Sequence, residues 1–157
     1  MLIRDSIALG AVTGVAATVP QLIVNYISFQ LGFAKYYAFQ LSGGIYLLKN
    51  LTDNLWGLIL GGIVWEFTAA FLGIVTVYLL RWTGRDYWWL KGVLVSNAIM
   101  FIIIYGFVFG LVGPKVVPRD IETNFSVLLE NLIFGVTTAY LIVRWGEGLL
   151  HRKPGEL

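Results

Sequence analysis

Polar residues along this chain come in clusters, and the intervals between the clusters are its first readable feature. Four intervals are apolar and long enough to cross a hydrocarbon core, which takes about 20 helical residues. They run from Ser6 to Leu31, Leu55 to Leu80, Gly92 to Gly113 and Thr123 to Val143. In hydrocarbon a backbone can bond only to itself, and four segments are too few to close a barrel, so each is predicted to be an α-helix. The expected fold is all-α: an integral membrane four-helix bundle with residues 1–157 as one transmembrane domain.

The polar clusters predict how the spans are joined. Asn50 to Asn54 supplies capping side chains ahead of the second span, and Pro118 with Asp120 marks the entry to the fourth. Trp82 to Lys91 is predicted as a short inner hairpin. Gly32 to Asp53 interleaves polar residues with Tyr36, Tyr37, Phe39 and Ile45 to Leu48, which predicts an interfacial amphipathic helix or a re-entrant turn. Spans two and four share a pattern, Gly73-Ile-Val-Thr76-Val-Tyr78-Leu79 beside Gly135-Val-Thr-Thr138-Ala-Tyr140-Leu141, each soon followed by Arg-Trp. That pattern fits a duplicated hairpin. It equally fits the chance recurrence of common membrane residues before boundary anchors.

Steps of three and four residues pick out one face on each span. Span one gives Gly14, Thr18, Gln21, Asn25 and Ser28, and span two gives Gly62, Glu66, Ala69, Gly73 and Thr76. Span three gives Gly92, Ser96, Ile99, Ile103, Gly106, Gly110 and Gly113. Span four offers two neighbouring lines, Ser126, Glu130 and Thr137, and Asn124, Asn131, Gly135 and Thr138. Helices in lipid associate through close backbone approach and interhelical hydrogen bonds, so these are read first as packing faces. Gly62, Gly73, Gly106 and Gly110 are the expected contact glycines. The Gly106-xxx-Gly110 pair also makes a homo-oligomer one of the expected partners.

Composition agrees with a lipid solvent, since 58% of the 157 residues are hydrophobic and 13% charged. Arg4 before an apolar run resembles the start of a secretory leader, but no charge interrupts the chain until Lys35, so a retained first span is expected. Charge also sets orientation. One side would carry Arg4, Arg81, Arg85, Lys91, Arg144, Arg152 and Lys153, seven of the 11 Lys and Arg residues, and the other Lys35, Lys49, Lys115 and Arg119. The excess places both termini in the cytoplasm, in a cell (inner) membrane. Trp82, Tyr87, Trp88, Trp89 and Trp145 collect at the same boundary, where amphipathic rings settle. A net charge of +2, dispersed along the chain, gives no reason to expect a nucleic-acid partner.

Two acids stand inside the spans. At about 1.5 Å of rise per residue, Glu66 lies about 18 Å below the outer end of its span and Glu130 about 10 Å below the outer end of its own. Gln21 falls level with Glu66 and Asn25 with Glu130, so these four side chains from three helices are the candidate site. An acid near the bilayer centre costs about 2.5–3.5 kcal/mol on insertion scales, so it is expected to face the bundle or a wet cavity. No Lys or Arg in a span is available to neutralise either acid, and at least one is expected to be protonated at neutral pH. Pro20 cannot donate to Ala16 and is expected to kink span one beside Gln21, freeing a carbonyl. The functional reading is a proton- or cation-linked cavity, and the structural reading is a hydrogen-bonded clamp between helices.

Other chemistries lack their residues. There is no Cys, and the one His, His151, lies in the polar tail, so no haem or transition-metal site and no cofactor is expected. Asp5, Asp53, Asp86 and Asp120 all lie outside the spans, no phosphate-binding glycine motif is present, and the chain is not expected to be an enzyme.

A single embedded Glu among small residues in a four-span chain resembles the small multidrug-resistance transporters, in which that acid exchanges protons for cationic drugs. Their acid lies in the first span, however, and their chains are much shorter. Pro20 with Asn25-Tyr26, Phe71-Leu72-Gly73-Ile74, Leu90-Lys91-Gly92, Ile104-Tyr105-Gly106 and Tyr140-Leu141 together resemble small uncharacterised four-span inner-membrane proteins of anaerobic, spore-forming bacteria. That resemblance covers nearly the whole chain and implies the topology with no activity attached. Two functions are therefore expected. One is a transport or permeation module for a proton, cation or small cationic solute using Gln21, Asn25, Glu66 and Glu130. The other is a non-catalytic membrane subunit that binds a protein or lipid partner through its glycine faces and residues 32–53.

Overall fold

A computed structural model describes residue 3, residues 5–107 and residues 118–146; these are almost wholly helical, and no strand occurs among them. Helix α1 spans Ser6–Gln30, α2 Ala38–Gly43, α3 Leu55–Thr83, α4 Trp88–Leu94 and α5 Ile121–Trp145. A 3-10 turn covers Lys49–Leu51, and α4 runs on into a π-helical segment, Val95–Tyr105. Helices α1, α3 and α5 are each long and apolar enough to cross a membrane, and Trp88–Ile103 forms a shorter apolar helix. The remainder of the predicted third span, residues 108–113, lies outside the described residues, as do Gly110 and His151.

Side-chain caps start all three long helices. Asp5 accepts from the Ala8 amide, Asn54 from that of Gly57 and Asp120 from that of Thr123, each satisfying an amide that would otherwise face apolar surroundings unpaired. Pro20 sits inside α1 without ending it.

Glycine determines how the long helices meet. A Cβ on Gly73 would run into the Gly10 carbonyl oxygen, and one on Gly14 into that of Ala69, so α1 and α3 touch backbone to backbone. The same arrangement recurs between α4 and α5, where a Cβ on Gly135 would meet Ser96 Oγ and lie 2.5 Å from the Gly92 carbonyl oxygen. Gly10 and Gly92 each lie four residues after the first residue of their helix, and Gly73 and Gly135 are the glycines of the shared sequence pattern. The residues after them also match in burial: Thr76, Val77 and Leu80 on α3, Thr138, Ala139 and Ile142 on α5. Leu9, Val77, Leu80, Ala139 and Ile142 close into one apolar cluster, joining the two pairs at the end where the termini lie.

Four expectations need correction. First, α3 continues through Trp82 and Thr83 and α4 begins at Trp88, so the connection expected over Trp82 to Lys91 is only residues 84–87. It turns on two residues in the left-handed region, Gly84 at φ 85° and Tyr87 at φ 54°. Lys91 Nζ closes it by donating to the carbonyls of Thr83 at 3.1 Å and Gly84 at 2.8 Å, where a cation complements the helix dipole.

Second, the expectation for residues 32–53, an interfacial helix or a re-entrant turn, narrows to a segment that partly enters the bundle, with Tyr46 and Leu48 exposed. Helix α2 packs into it, with Ala38, Leu41 and Ser42 buried. Ser42 Oγ donates to the Gly61 carbonyl at 2.7 Å, and a Cβ on Gly61 would strike the Phe39 carbonyl oxygen.

Third, α3 buries a different line where α2 docks. Its buried line in this half is Gly57, Gly61, Trp65 and Ala69, one position round from the expected Gly62, Glu66 and Ala69, and Glu66 is half-buried.

Fourth, the expected face of span three holds through Gly92, Ser96 and Ile99 and then fails, leaving Ile103 52% exposed. The i→i+5 hydrogen bonding of a π-helix changes the angle per residue, so a 3.6-residue reading drifts off the contact. Met100 and Phe101 pack inward instead. Gly106 meets only the Phe101 carbonyl, 3.7 Å from where its Cβ would lie, so this glycine makes no close helix contact within the described residues.

Candidate functional site

The two intramembrane acids have different surroundings. Glu130 is 1% exposed. Ser126, one turn earlier on α5, donates to its Oε1 at 2.6 Å, and Asn25 Nδ2 of α1 donates to the same oxygen at 3.1 Å. Asn25 Oδ1 accepts the Ala38 amide at 2.9 Å, the first N–H of α2. Glu130 Oε2 is buried with no hydrogen-bond partner among the described residues. One amide side chain thus fastens α1, α2 and α5 together, with Glu130 as its anchor.

A second tie runs parallel nearer the start of α5. The Lys35 amide donates to Thr123 Oγ1 at 3.0 Å, Thr123 Oγ1 donates to Asp120 Oδ2 at 2.6 Å, and Lys35 Nζ lies 3.5 Å from Asp120 Oδ1. Partial desolvation pushes the Asp120 carboxyl up, but the side-chain and backbone hydrogen bonds of Thr123 outweigh it. With the Lys35 charge they hold the group below the usual carboxylate range. Between the two ties stands Tyr37, whose phenol is pushed up by burial first and by the nearby Glu130 charge second.

Glu66 belongs to a different place. Its side-chain partner is Thr18 of α1, whose Oγ1 lies 3.1 Å from Oε1 and 3.3 Å from Oε2. The same hydroxyl lies 2.7 Å from the Val15 carbonyl oxygen. One hydroxyl proton cannot serve both. When it points to Val15, the Glu66 carboxyl can bond Thr18 only as a neutral acid that donates; when it points to Glu66, the contact suits a carboxylate. A rotation of one O–H therefore adapts the pair to either protonation state.

Beside Glu66 a groove of about 610 Å³ opens at the protein surface between α2 and α3, walled by Tyr37, Phe39, Ile59, Ile63 and Phe67. Gly62 lies in its wall, where a Cβ would pack 3.4 Å from the Phe39 ring. Among the described residues Glu66 is the one ionisable acid whose side chain lines it, and the surface of the groove is almost wholly apolar.

The structure thus brings Asn25 and Glu130 together and sets Glu66 apart. Neither cavity described holds both acids. Gln21, level with Glu66 by rise, lines a separate uncharged cavity. Sequence reading placed Thr18 on the packing face but did not pair it with Glu66. The i,i+4 spacing of Ser126 and Glu130 was a usable signal for their bond, whereas the Ala38 amide carries no side-chain signal. Among the described residues no group of three or more His, Cys, Asp or Glu side chains converges to hold a metal ion. No protein-family model, curated protein or solved structure matches the chain.

Proposed function

We propose that the chain is an integral membrane four-helix bundle of two duplicated hairpins, lying in a cell (inner) membrane with both termini cytoplasmic. In this reading it binds a proton or a small cationic amphiphile at Glu66 as a transport or permeation module. The observation that carries the proposal is the shared Thr18 hydroxyl, which can meet Glu66 charged or neutral, at an acid whose side chain lines an open groove. A cation with apolar substituents suits the apolar wall and single carboxylate, and its departure would leave Glu66 free to take a proton. Glu130 and Asn25 have a bracing role, holding α2 as one wall of the groove. Matching glycine contacts at Gly10–Gly73 and Gly92–Gly135 support the duplication. No catalytic step is assigned.

A second reading rests on the apolar character of the groove: a non-catalytic subunit holding a lipid chain or partner helix there and on its glycine faces. Flux in proteoliposomes separates the two. Transport predicts proton-coupled uptake of a lipophilic cation such as tetraphenylphosphonium, abolished by Glu66→Gln and retained in part by Glu130→Gln. Equal flux with and without Glu66, or none in either, removes the transport reading.

A further inference from the structure

The uncharged cavity on the other side of α3 has its own chemistry. It occupies about 60 Å³, is partly open to the outside, and lies where α3 faces α5 and the π-helical segment, with α1 and α2 closing it. At about 10–15 Å³ per water-sized group it has room for roughly four such groups. Leu72, Met100, Phe134 and other apolar side chains make most of its wall.

Its polar equipment is specific. Ser42 and Thr68 line it, but their hydroxyl protons are directed to the backbone carbonyls of Gly61 and Val64 at 2.7 and 2.8 Å. Two carboxamides remain, together with the Trp65 indole Nε1–H, a buried donor with no partner among the described residues. Asn131, 2% exposed, donates its Nδ2 to the Val127 carbonyl at 2.9 Å, which leaves Oδ1 as an acceptor. Gln21, 3% exposed on the facing helix, makes no hydrogen bond with the described residues, so its amide presents both a donor and an acceptor to the cavity. A pocket of this kind, apolar with a few convergent polar groups and no charge, suits a neutral ligand. An acceptor-only head such as an ether or ester would leave an amide oxygen unmatched; a hydroxyl both donates and accepts.

We infer that Gln21 and Asn131 form a binding site for the hydroxyl end of a single-chain lipid alcohol, whose first carbons fill the cavity beside Leu72, Met100 and Phe134. The site shares no lining residue with the Glu66 groove and does not depend on transport.

Photolabelling of the full chain in detergent with a decanol bearing a diazirine at its third carbon tests it, with labels mapped by mass spectrometry. Labels are expected on Leu72, Met100 or Phe134, and unlabelled 1-decanol is expected to suppress them. Decyl methyl ether, which accepts but cannot donate, should compete about tenfold less well, the scale of one matched hydrogen bond. Gln21→Leu should weaken labelling by a similar factor. Equal competition by alcohol and ether, or labels spread evenly over the lipid-facing surface, would overturn the inference. The competition uses the native protein, so it decides the matter even if Gln21→Leu fails to fold.

Discussion

Asn25 lies 3.1 Å from Glu130 across the α1–α5 contact and accepts the Ala38 amide with the other end of its amide group. Interhelical polar contacts in membranes average only about 0.6 kcal/mol. Removing Asn25, however, also strands a buried backbone donor, which costs about 1–3 kcal/mol. Asn25→Leu, nearly isosteric, is therefore expected to destabilise the protein by about 2 kcal/mol and to free α2. Ser126→Ala leaves Asn25 on Glu130 and should cost under about 1 kcal/mol. Unfolding in mixed detergent with sodium dodecyl sulfate measures both. Equal losses would mean that Asn25 does not hold α2.

Glycine contacts give a graded expectation. Gly73→Val and Gly135→Val each push a side chain into a facing backbone, where overpacking costs about 1–3 kcal/mol, and each should separate its own helix pair. Among the described residues Gly106→Val meets only the Phe101 carbonyl, and it should cost less stability than either of the other two. Thermal unfolding of the three variants checks the order. If Gly106→Val behaves like the other two, its face is packed, and cross-linking separates a second copy from residues outside the described ones.

How much of this was legible in the sequence follows from what periodicity can carry. Three long helices, their caps at Asn54 and Asp120, and the levelling of Asn25 with Glu130 follow from hydropathy, capping chemistry and a constant rise per residue. The face of α3 followed at Ala69, Gly73 and Thr76 but not beside α2, where Gly57 and Gly61, packed against the backbone of Leu51 and Phe39, are buried instead of Gly62 and Glu66. The face of the third apolar helix was lost beyond Ile99 because π-helical hydrogen bonding breaks the assumed angle per residue. Glu66 was recognised as an embedded acid, while its groove, built from Phe39 and the missing side chain of Gly62, depends on a contact between residues 23 positions apart and leaves no local pattern.

Asp120 makes stability depend on pH in a fixed direction. Its carboxyl in the folded chain is held below the ordinary value near 3.9, so the folded state favours the carboxylate. The contribution is fully present above the unfolded pKa and is lost as pH falls through the folded one. Stability is therefore expected to drop as pH is lowered from about 5 towards 3. Asp120→Asn keeps a capping oxygen and should flatten that slope, while Asp120→Ala should cost about 1 kcal/mol at neutral pH. Lys35 is 63% exposed, and Lys35→Met should change little by comparison. A slope unchanged in Asp120→Asn would assign it to another carboxylate.

The account turns on the division of labour between the two acids: Glu66 open to a groove and adaptable in protonation, Glu130 sealed as a brace. A hydrophobic carbodiimide reacts with protonated carboxyl groups it can reach from the apolar phase, so site-resolved labelling of the reconstituted protein by dicyclohexylcarbodiimide tests that division directly. The account predicts modification at Glu66, slowed by tetraphenylphosphonium and absent from Glu66→Gln, with Glu130 unmodified while the protein is folded. Modification of Glu130 at the rate of Glu66, or none at Glu66, would contradict it.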